Sequence, residues 1–269
     1  MPNVSIIVPV YGVEKYIDRC ARSLFEQTFD DIEYIFVNDC TKDNSIKVLE
    51  TVIENYPNRK EHVTILHHEA NKGLPQARKT GILAAKGDYI INFDSDDWVD
   101  TNTIEKLYNK ALEDNADIVV CDYYISDGKS HRIQKGIDTT LDKYELIEKL
   151  CQMKFSWAVW NKLIKRDLFT DVIYPIYSYA EDMALVVKAE KISHAPYPLY
   201  YYYCNPQSIT RTLTINQVLD NIEGRKHNNE IVFKTLNNIL YFSKNRDLLD
   251  LLKWQAKILW SFQPRCCDY

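Results

Sequence analysis

Over the first 122 positions, apolar residues fall into short β-branched runs, each followed by a stretch in which they recur at helical spacing. The runs at 4–9, 32–37, 63–67, 89–93 and 118–121 predict strands, and the intervening stretches at 13–26, 44–55, 74–85 and 103–115 predict helices. Ser5-Ile6-Ile7-Val8 and Ile118-Val119-Val120 are apolar at consecutive positions rather than alternate ones. A strand reads that way when helices cover both faces of its sheet. The expectation is an α/β fold with a mostly parallel sheet, its ligands bound at the carboxyl ends of the strands.

Past residue 122 the alternation is lost. The polar stretch Ser126-Asp127-Gly128-Lys129-Ser130 reads as a surface loop, and a helix is expected at 143–153. The Trp-rich run Trp157-Ala158-Val159-Trp160-Asn161-Lys162 follows, and a second helix opens near Glu181-Asp182. Tyr197 and Tyr200 to Tyr203 are expected to pack a half-buried strand, the other reading being rings that line a sugar groove. From 215 to 262 the spacing of Val218, Leu219 and Ile222, then Leu248, Leu249, Leu252, Ile258 and Leu259, predicts two amphipathic helices. Their apolar faces are expected to pack on the first domain, with peripheral membrane contact through Trp254 and Trp260 as the alternative. Three portions result: 1–122, 123–212 and a helical extension at 213–269.

Composition narrows the partners. The chain has 269 residues, 46% of them hydrophobic, enough for a substantial core. Its 33 Lys and Arg against 38 Asp and Glu leave a net charge of −5, which removes the basic footprint of a nucleic-acid binder. The seven cysteines, Cys20, Cys40, Cys121, Cys151, Cys204, Cys266 and Cys267, have no C-x-x-C spacing, so a disulfide framework or zinc site is not expected. With neither a leader-like start nor an apolar run long enough to span a bilayer, the expected location is cytoplasmic, including the inner membrane face.

The chemistry concentrates at Asn92-Phe93-Asp94-Ser95-Asp96-Asp97-Trp98, where three carboxylates follow an apolar strand. Clustered carboxylates repel unless a cation joins them, and hard oxygen ligands suit Mg²⁺ or Mn²⁺. Asp94 and Asp96 are read as metal or nucleotide ligands, and Asp97 as the N-cap of the helix that follows. Two other carboxyl-end loops agree: Pro9-Val10-Tyr11-Gly12-Val13-Glu14, with a ring and a carboxylate to frame a nucleoside, and Asn38-Asp39-Cys40-Thr41-Lys42-Asp43-Asn44-Ser45, with Asp39 as an acceptor. Seven glycines with neither G-x-G-x-x-G nor G-x-x-x-x-G-K-[ST] exclude a Rossmann dinucleotide site and a P-loop.

These segments, together with Asn71-Lys72-Gly73-Leu74-Pro75-Gln76-Ala77-Arg78, resemble family 2 glycosyltransferases over residues 3–122. Val159-Trp160-Asn161-Lys162-Leu163, Ala180-Glu181-Asp182 and Tyr203-Cys204-Asn205-Pro206-Gln207-Ser208-Ile209-Thr210 resemble bacterial capsule and exopolysaccharide members. The resemblance implies a GT-A type fold, with nucleotide-sugar binding in 1–122, acceptor binding and the catalytic base in 123–212, and an inverting, metal-dependent transfer from a UDP-sugar to a glycan or lipid-linked glycan. In that reading Asp39 binds uracil with Tyr11 stacked nearby, Glu14 and Asp94 meet the ribose, and Arg78 approaches the nucleotide. Pro9, Val10, Asn71, Gly73 and Ser95 complete the donor loops. Asp96 holds the cation with Asp94, Asp182 is the base with Glu181 as its rival, and Trp160 faces the acceptor.

The sequence departs from the family pattern at Asn38-Asp39-Cys40-Thr41-Lys42-Asp43, where Asp-Asp-Gly-Ser-Thr-Asp is usual, and at Gly12, where Asn is common. A nucleotidyltransferase would need a Gly-rich basic loop after the first strand, and a silent sugar-nucleotide module need not retain Asp39, Asp94, Asp96 and Asp182 together. Processive synthases need membrane spans and a Gln-x-x-Arg-Trp motif, which the chain lacks.

Overall fold

The fold is described from a computed structural model, which covers residues 2–137, 140–142, 145, 149, 156, 158–170, 181–186 and 188–205. The expected helix at 143–153 lies mostly, and the extension at 213–269 wholly, outside the described residues.

The strands are β1 (Val4–Val10), β2 (Ile32–Asn38), β3 (Val63–His67), β4 (Tyr89–Asn92), β5 (Trp98–Val99), β6 (Ile118–Ser126), β7 (His131–Gln134), β8 (Leu141–Asp142), β9 (Lys162–Lys165) and β10 (Lys191–Tyr203). The helices are α1 (Ile17–Phe25), α2 (Ser45–Glu54), α3 (Pro57–Lys60), α4 (Leu74–Ala84), α5 (Thr103–Asp114) and α6 (Glu181–Val186). One sheet runs β3-β2-β1-β4-β9-β6-β10-β5, with β7 on β6 and β8 on β10. Its β3-β2-β1-β4 half is parallel, as the β-then-α alternation requires. Every residue of β1 is buried, because α1 lies on one face of the sheet and α4 on the other. A Cβ on Gly81 of α4 would stand 2.5 Å from Ile7 Cγ2, so only glycine lets that helix approach β1 so closely.

The second half of the sheet is mixed. β9 runs antiparallel between β4 and β6, pairing Leu163 with Ile91 on one side and Val119 on the other. Its first residue, Lys162, is thereby carried to the carboxyl end of β4, opposite Val120 of β6. β10 runs parallel to β6, with Tyr200 and Tyr201 pairing antiparallel to Val99 and Trp98 of β5. Side chains of a strand alternate in direction, so the tyrosines divide between two stacks. Tyr200 and Tyr202 meet Trp160 at ring-centroid distances of 4.6 and 5.3 Å, while Tyr201 stacks on Trp98 at 5.0 Å and Tyr124 at 4.5 Å. The strand-packing account of these tyrosines holds.

α1 begins four residues later than its apolar spacing predicts. Gly12 turns the chain at φ 69°, and the Val13 and Glu14 N–H groups donate to Ser45 Oγ and Asp43 Oδ2 instead of starting a helix. α5 begins at Thr103 and ends on Asn115 at φ 48°, a left-handed helix stop.

Candidate active site

The carboxyl ends of β1, β2 and β4 converge. Asp39 directly follows β2 and is almost wholly buried. Its Oδ1 accepts from the Lys72 N–H at 2.8 Å and its Oδ2 from the Gly73 N–H at 2.8 Å. His68 Nδ1 lies 2.7 Å from Oδ1, and His68 Nε2 lies 2.8 Å from Thr80 Oγ1. Asp39 therefore ties the loop after β2 to the one before α4. Gly73, at φ 83°, turns that loop into α4, and Asn71 Oδ1 accepts its N–H at 3.2 Å.

Tyr11 opens the loop that follows β1 and is 45% exposed, directly after Pro9 and Val10 at the buried end of that strand. Glu14 accepts from the N–H and the Nδ2 of Asn44 at 3.0 and 3.1 Å, so its carboxylate ties the first loop to the start of α2. Cys40 adopts φ 58°, the left-handed conformation in which a side chain is disfavoured. That explains in physical terms why glycine is usual in this position of the motif.

The acidic turn after β4 holds its three carboxylates in different settings. Asp94 Oδ1 accepts from Arg78 Nη2 at 2.9 Å, and Asp96 Oδ2 from Asn205 Nδ2 at 2.9 Å. Arg19 donates to the Asp96 carbonyl at 3.1 Å while its guanidinium lies 3.5 Å over the Trp98 ring. Ser95 is buried between them. Burial first, and then the charge of Asp94, raises the Asp96 pKa. A divalent cation held by Asp94 and Asp96 would relieve that repulsion. Among the described residues no group of three or more His, Cys, Asp or Glu forms a cage. Two carboxylates of hard-oxygen chemistry nevertheless fit Mg²⁺ or Mn²⁺, which bind through one or two carboxylates and substrate phosphates.

Asp97 differs from its sequence reading. It does not cap a helix: β5 follows it directly, and its carboxylate accepts from the Tyr200 hydroxyl and, at 2.6 Å, from the Tyr203 N–H. Burial, followed by the charges of Asp96 and Asp94, raises its pKa well above the usual carboxylate range.

Asp182 lies in the first turn of α6. Arg78 Nη1 stands 3.7 Å from its Oδ1, so one buried guanidinium sits between Asp94 and Asp182. Burial pushes the Asp182 pKa up to about 6, while Arg78 and Lys162 oppose the shift. Lys162 is fully buried at the start of β9, and its Nζ donates to the Ala158 carbonyl and to Asn161 Oδ1. Burial lowers its pKa to about 7, and Asp182 pulls the other way. Sequence reasoning assigned Lys162 no chemistry, although a cation opening the apolar run Leu163-Ile164 was the available signal.

The structure brings Arg78, Asp94, Asp96 and Asp182 into one connected constellation, and sets Asp39, Asn71 and Gly73 in the adjoining loop. Trp160 is half-buried, stacked on Tyr200 and Tyr202 and edge-on to Tyr123 at 4.7 Å. Glu181 opens α6, with its side chain outside the described atoms. Among the described residues no helix is long and apolar enough to cross a membrane, and Cys20, Cys40 and Cys121 form no disulfide.

Comparison with known proteins places the family and the fold. The glycosyl transferase family 2 model matches residues 5–180. The chain is 37% identical over 223 residues to the uncharacterized glycosyltransferase EpsJ of Bacillus subtilis, covering 78% of this chain and 63% of that protein. It is 33% identical over 224 residues to the glycosyltransferase GlyG of Streptococcus pneumoniae, covering 78% of this chain and 73% of the relative. A crystal structure of S. aureus TarS 1-349 in complex with UDP-GlcNAc superposes with a TM-score of 0.67 at 20% identity, covering 97% of this chain and 78% of that one. That likeness shows the fold, the GT-A type α/β architecture expected from the sequence. The chain thus spans a little under two thirds of the Bacillus relative's length.

Proposed function

The chain belongs to glycosyl transferase family 2, and from that premise we propose that it moves a sugar from a uridine-diphosphate sugar to an acceptor hydroxyl, inverting the anomeric centre. The observation that carries the reading is the buried Arg78 held between Asp94 of the acidic turn and Asp182 of α6. A donor-side carboxylate and a base of near-neutral pKa share one site. The UDP-GlcNAc bound by the similar TarS structure supports a uridine donor.

In this reading Asp39 and Tyr11 hold the base of the nucleotide, and Arg78 orients Asp94 toward the ribose. A divalent cation held by Asp94 and Asp96 would supply neutralising charge to the departing diphosphate. Asp182 accepts the acceptor hydroxyl's proton as that oxygen bonds to the anomeric carbon from the face opposite the diphosphate. The anomeric C–O bond breaks, its electron pair leaves with the diphosphate, and in-line attack inverts the centre. A base whose pKa lies just below neutral is ionised at neutral pH yet still able to take a proton. The acceptor is a glycan or a lipid-linked glycan, with Trp160 on its side of the site.

The test is a panel of nucleotide sugars assayed for nucleoside diphosphate release, with and without Mn²⁺. Release from uridine donors alone, lost with EDTA, is expected. Equal release from all donors, or none, would remove the reading.

A further inference from the structure

We infer that His68 is a positioning residue that gives the donor site its preference for a base with a ring N–H, of the uracil class; this rests on the proposed uridine donor. The argument is one of hydrogen-bond capacity. An ionised carboxylate offers about four acceptor positions, two on each oxygen, and donates nothing. On Asp39, Oδ1 already receives the Lys72 N–H at 2.8 Å and faces His68 Nδ1 at 2.7 Å, while Oδ2 receives the Gly73 N–H at 2.8 Å. Because the carboxylate only accepts, His68 Nδ1 must carry a proton whether the ring is neutral or cationic. Thr80 fixes the other end of the ring at 2.8 Å. Three positions of Asp39 are then filled and one acceptor position remains, on Oδ2.

The ring therefore does more than fill space. Without His68, the Lys72 and Gly73 N–H groups would still hold the carboxylate, but Asp39 Oδ1 would have a second open position, so a base could be met at either oxygen. With His68 in place, the single remaining lone pair is directional. Uracil N3–H satisfies it, whereas cytosine presents an unprotonated N3 to the same lone pair and is repelled. Neither His68 nor Thr80 was marked by the sequence reading, and neither need touch the nucleotide for this role.

The experiment is calorimetric titration of UDP and CDP, with Mn²⁺ present, into the wild-type chain and into His68→Ala, His68→Asn and Thr80→Val. The Asn side chain places an N–H near the position of Nδ1, so it tests the donor rather than the ring. His68→Ala is expected to weaken UDP binding by about tenfold or more, the size of one lost hydrogen bond to a charged group, while CDP changes little. His68→Asn should restore most of the preference. If His68→Ala keeps the wild-type ratio of UDP to CDP affinity, the inference is wrong and the uridine reading stands. If the wild type itself shows no preference, the uridine reading falls and the inference with it. Should His68→Ala fail to fold, Thr80→Val decides: it releases the far end of the ring, and an unchanged ratio there overturns the assignment.

Discussion

Arg78 Nη1 stands 3.7 Å from Asp182 Oδ1, in a setting where both side chains are buried and that oxygen accepts no hydrogen bond among the described residues. Oδ1 of Asp182 is thus held near a cation by attraction without a hydrogen bond of its own, while the carboxylate also takes a backbone hydrogen bond at Val159. A group so placed is stabilised when charged but remains available to take a proton.

The first prediction concerns that proton. Asp182 must be ionised to act as the base, so transfer should fall as pH drops through about 6, the pKa that burial gives it. Asp182→Asn should lower turnover by about 10²-fold or more with UDP affinity nearly intact. Glu181→Gln is the control for the neighbouring carboxylate. Steady-state rates and calorimetry together check it, and full turnover in Asp182→Asn with loss in Glu181→Gln would move the assignment by one residue.

Lys162 supplies a second test through the same profile. Near pH 6 it is cationic, given its pKa of about 7, and it favours the ionised form of Asp182. Lys162→Met removes that support, so the Asp182 pKa rises and the acid limb moves to higher pH. At pH 6 the variant should lose roughly threefold or more, and at pH 8, where Asp182 is ionised in both proteins, little. Met fills similar volume without a charge to desolvate, but it strips the Ala158 carbonyl and Asn161 Oδ1 of their donor, so urea denaturation of the variant accompanies the pH profile. An acid limb that does not move would show that Lys162 acts only in packing.

Much of this arrangement was legible beforehand. β1, β2, β3, β4 and the start of β6 follow the predicted runs closely, because each is a short run rich in apolar and β-branched residues separated from the next by a helix of regular period. β9 could not be read that way. Lys-Leu-Ile-Lys is four residues long, and its antiparallel place between β4 and β6 is decided by neighbours distant in sequence. Asp97 was misread for a related reason. The two residues after it continue into neither a helix nor a long strand, and only the pairing of Trp98 and Val99 with β10 turns its carboxylate toward Tyr200. Asp39 was read from the sequence as a candidate site residue, but its bonds to His68 and the loop before α4 arise between elements and carry no local signature.

Cys40 offers a stability test independent of catalysis. At φ 58° a non-glycine residue carries a cost of about 1–2 kcal/mol, while glycine at the same place loses about 0.5–1 kcal/mol more chain entropy on folding. Cys40→Gly should therefore raise unfolding free energy by up to about 1 kcal/mol, and Cys40→Val should lower it, since a β-branched side chain fits this region worst. Urea denaturation measures both. A more stable valine variant would contradict the backbone argument.

The acidic turn yields the last prediction, which separates cation binding from folding. Asp96 Oδ2 is held by Asn205 Nδ2 at 2.9 Å, and an asparagine in its place can still present its amide oxygen to that donor. Asp96→Asn should therefore keep the local fold while replacing an anionic oxygen with a neutral amide on the side left for the cation. Burial and the charge of Asp94 both raise the Asp96 pKa, so removing the charge costs the unliganded protein nothing and should leave its melting temperature equal or higher. The expected loss appears only with ligand. Wild-type affinity for UDP should drop at least about tenfold when Mn²⁺ is replaced by EDTA, while Asp96→Asn should bind UDP weakly under both conditions. Calorimetry in Mn²⁺ and in EDTA checks this with no dependence on turnover. Equal wild-type affinity in the two buffers would remove the cation from the donor site, and a cation-dependent Asp96→Asn would shift the ligand role to Asp94 alone.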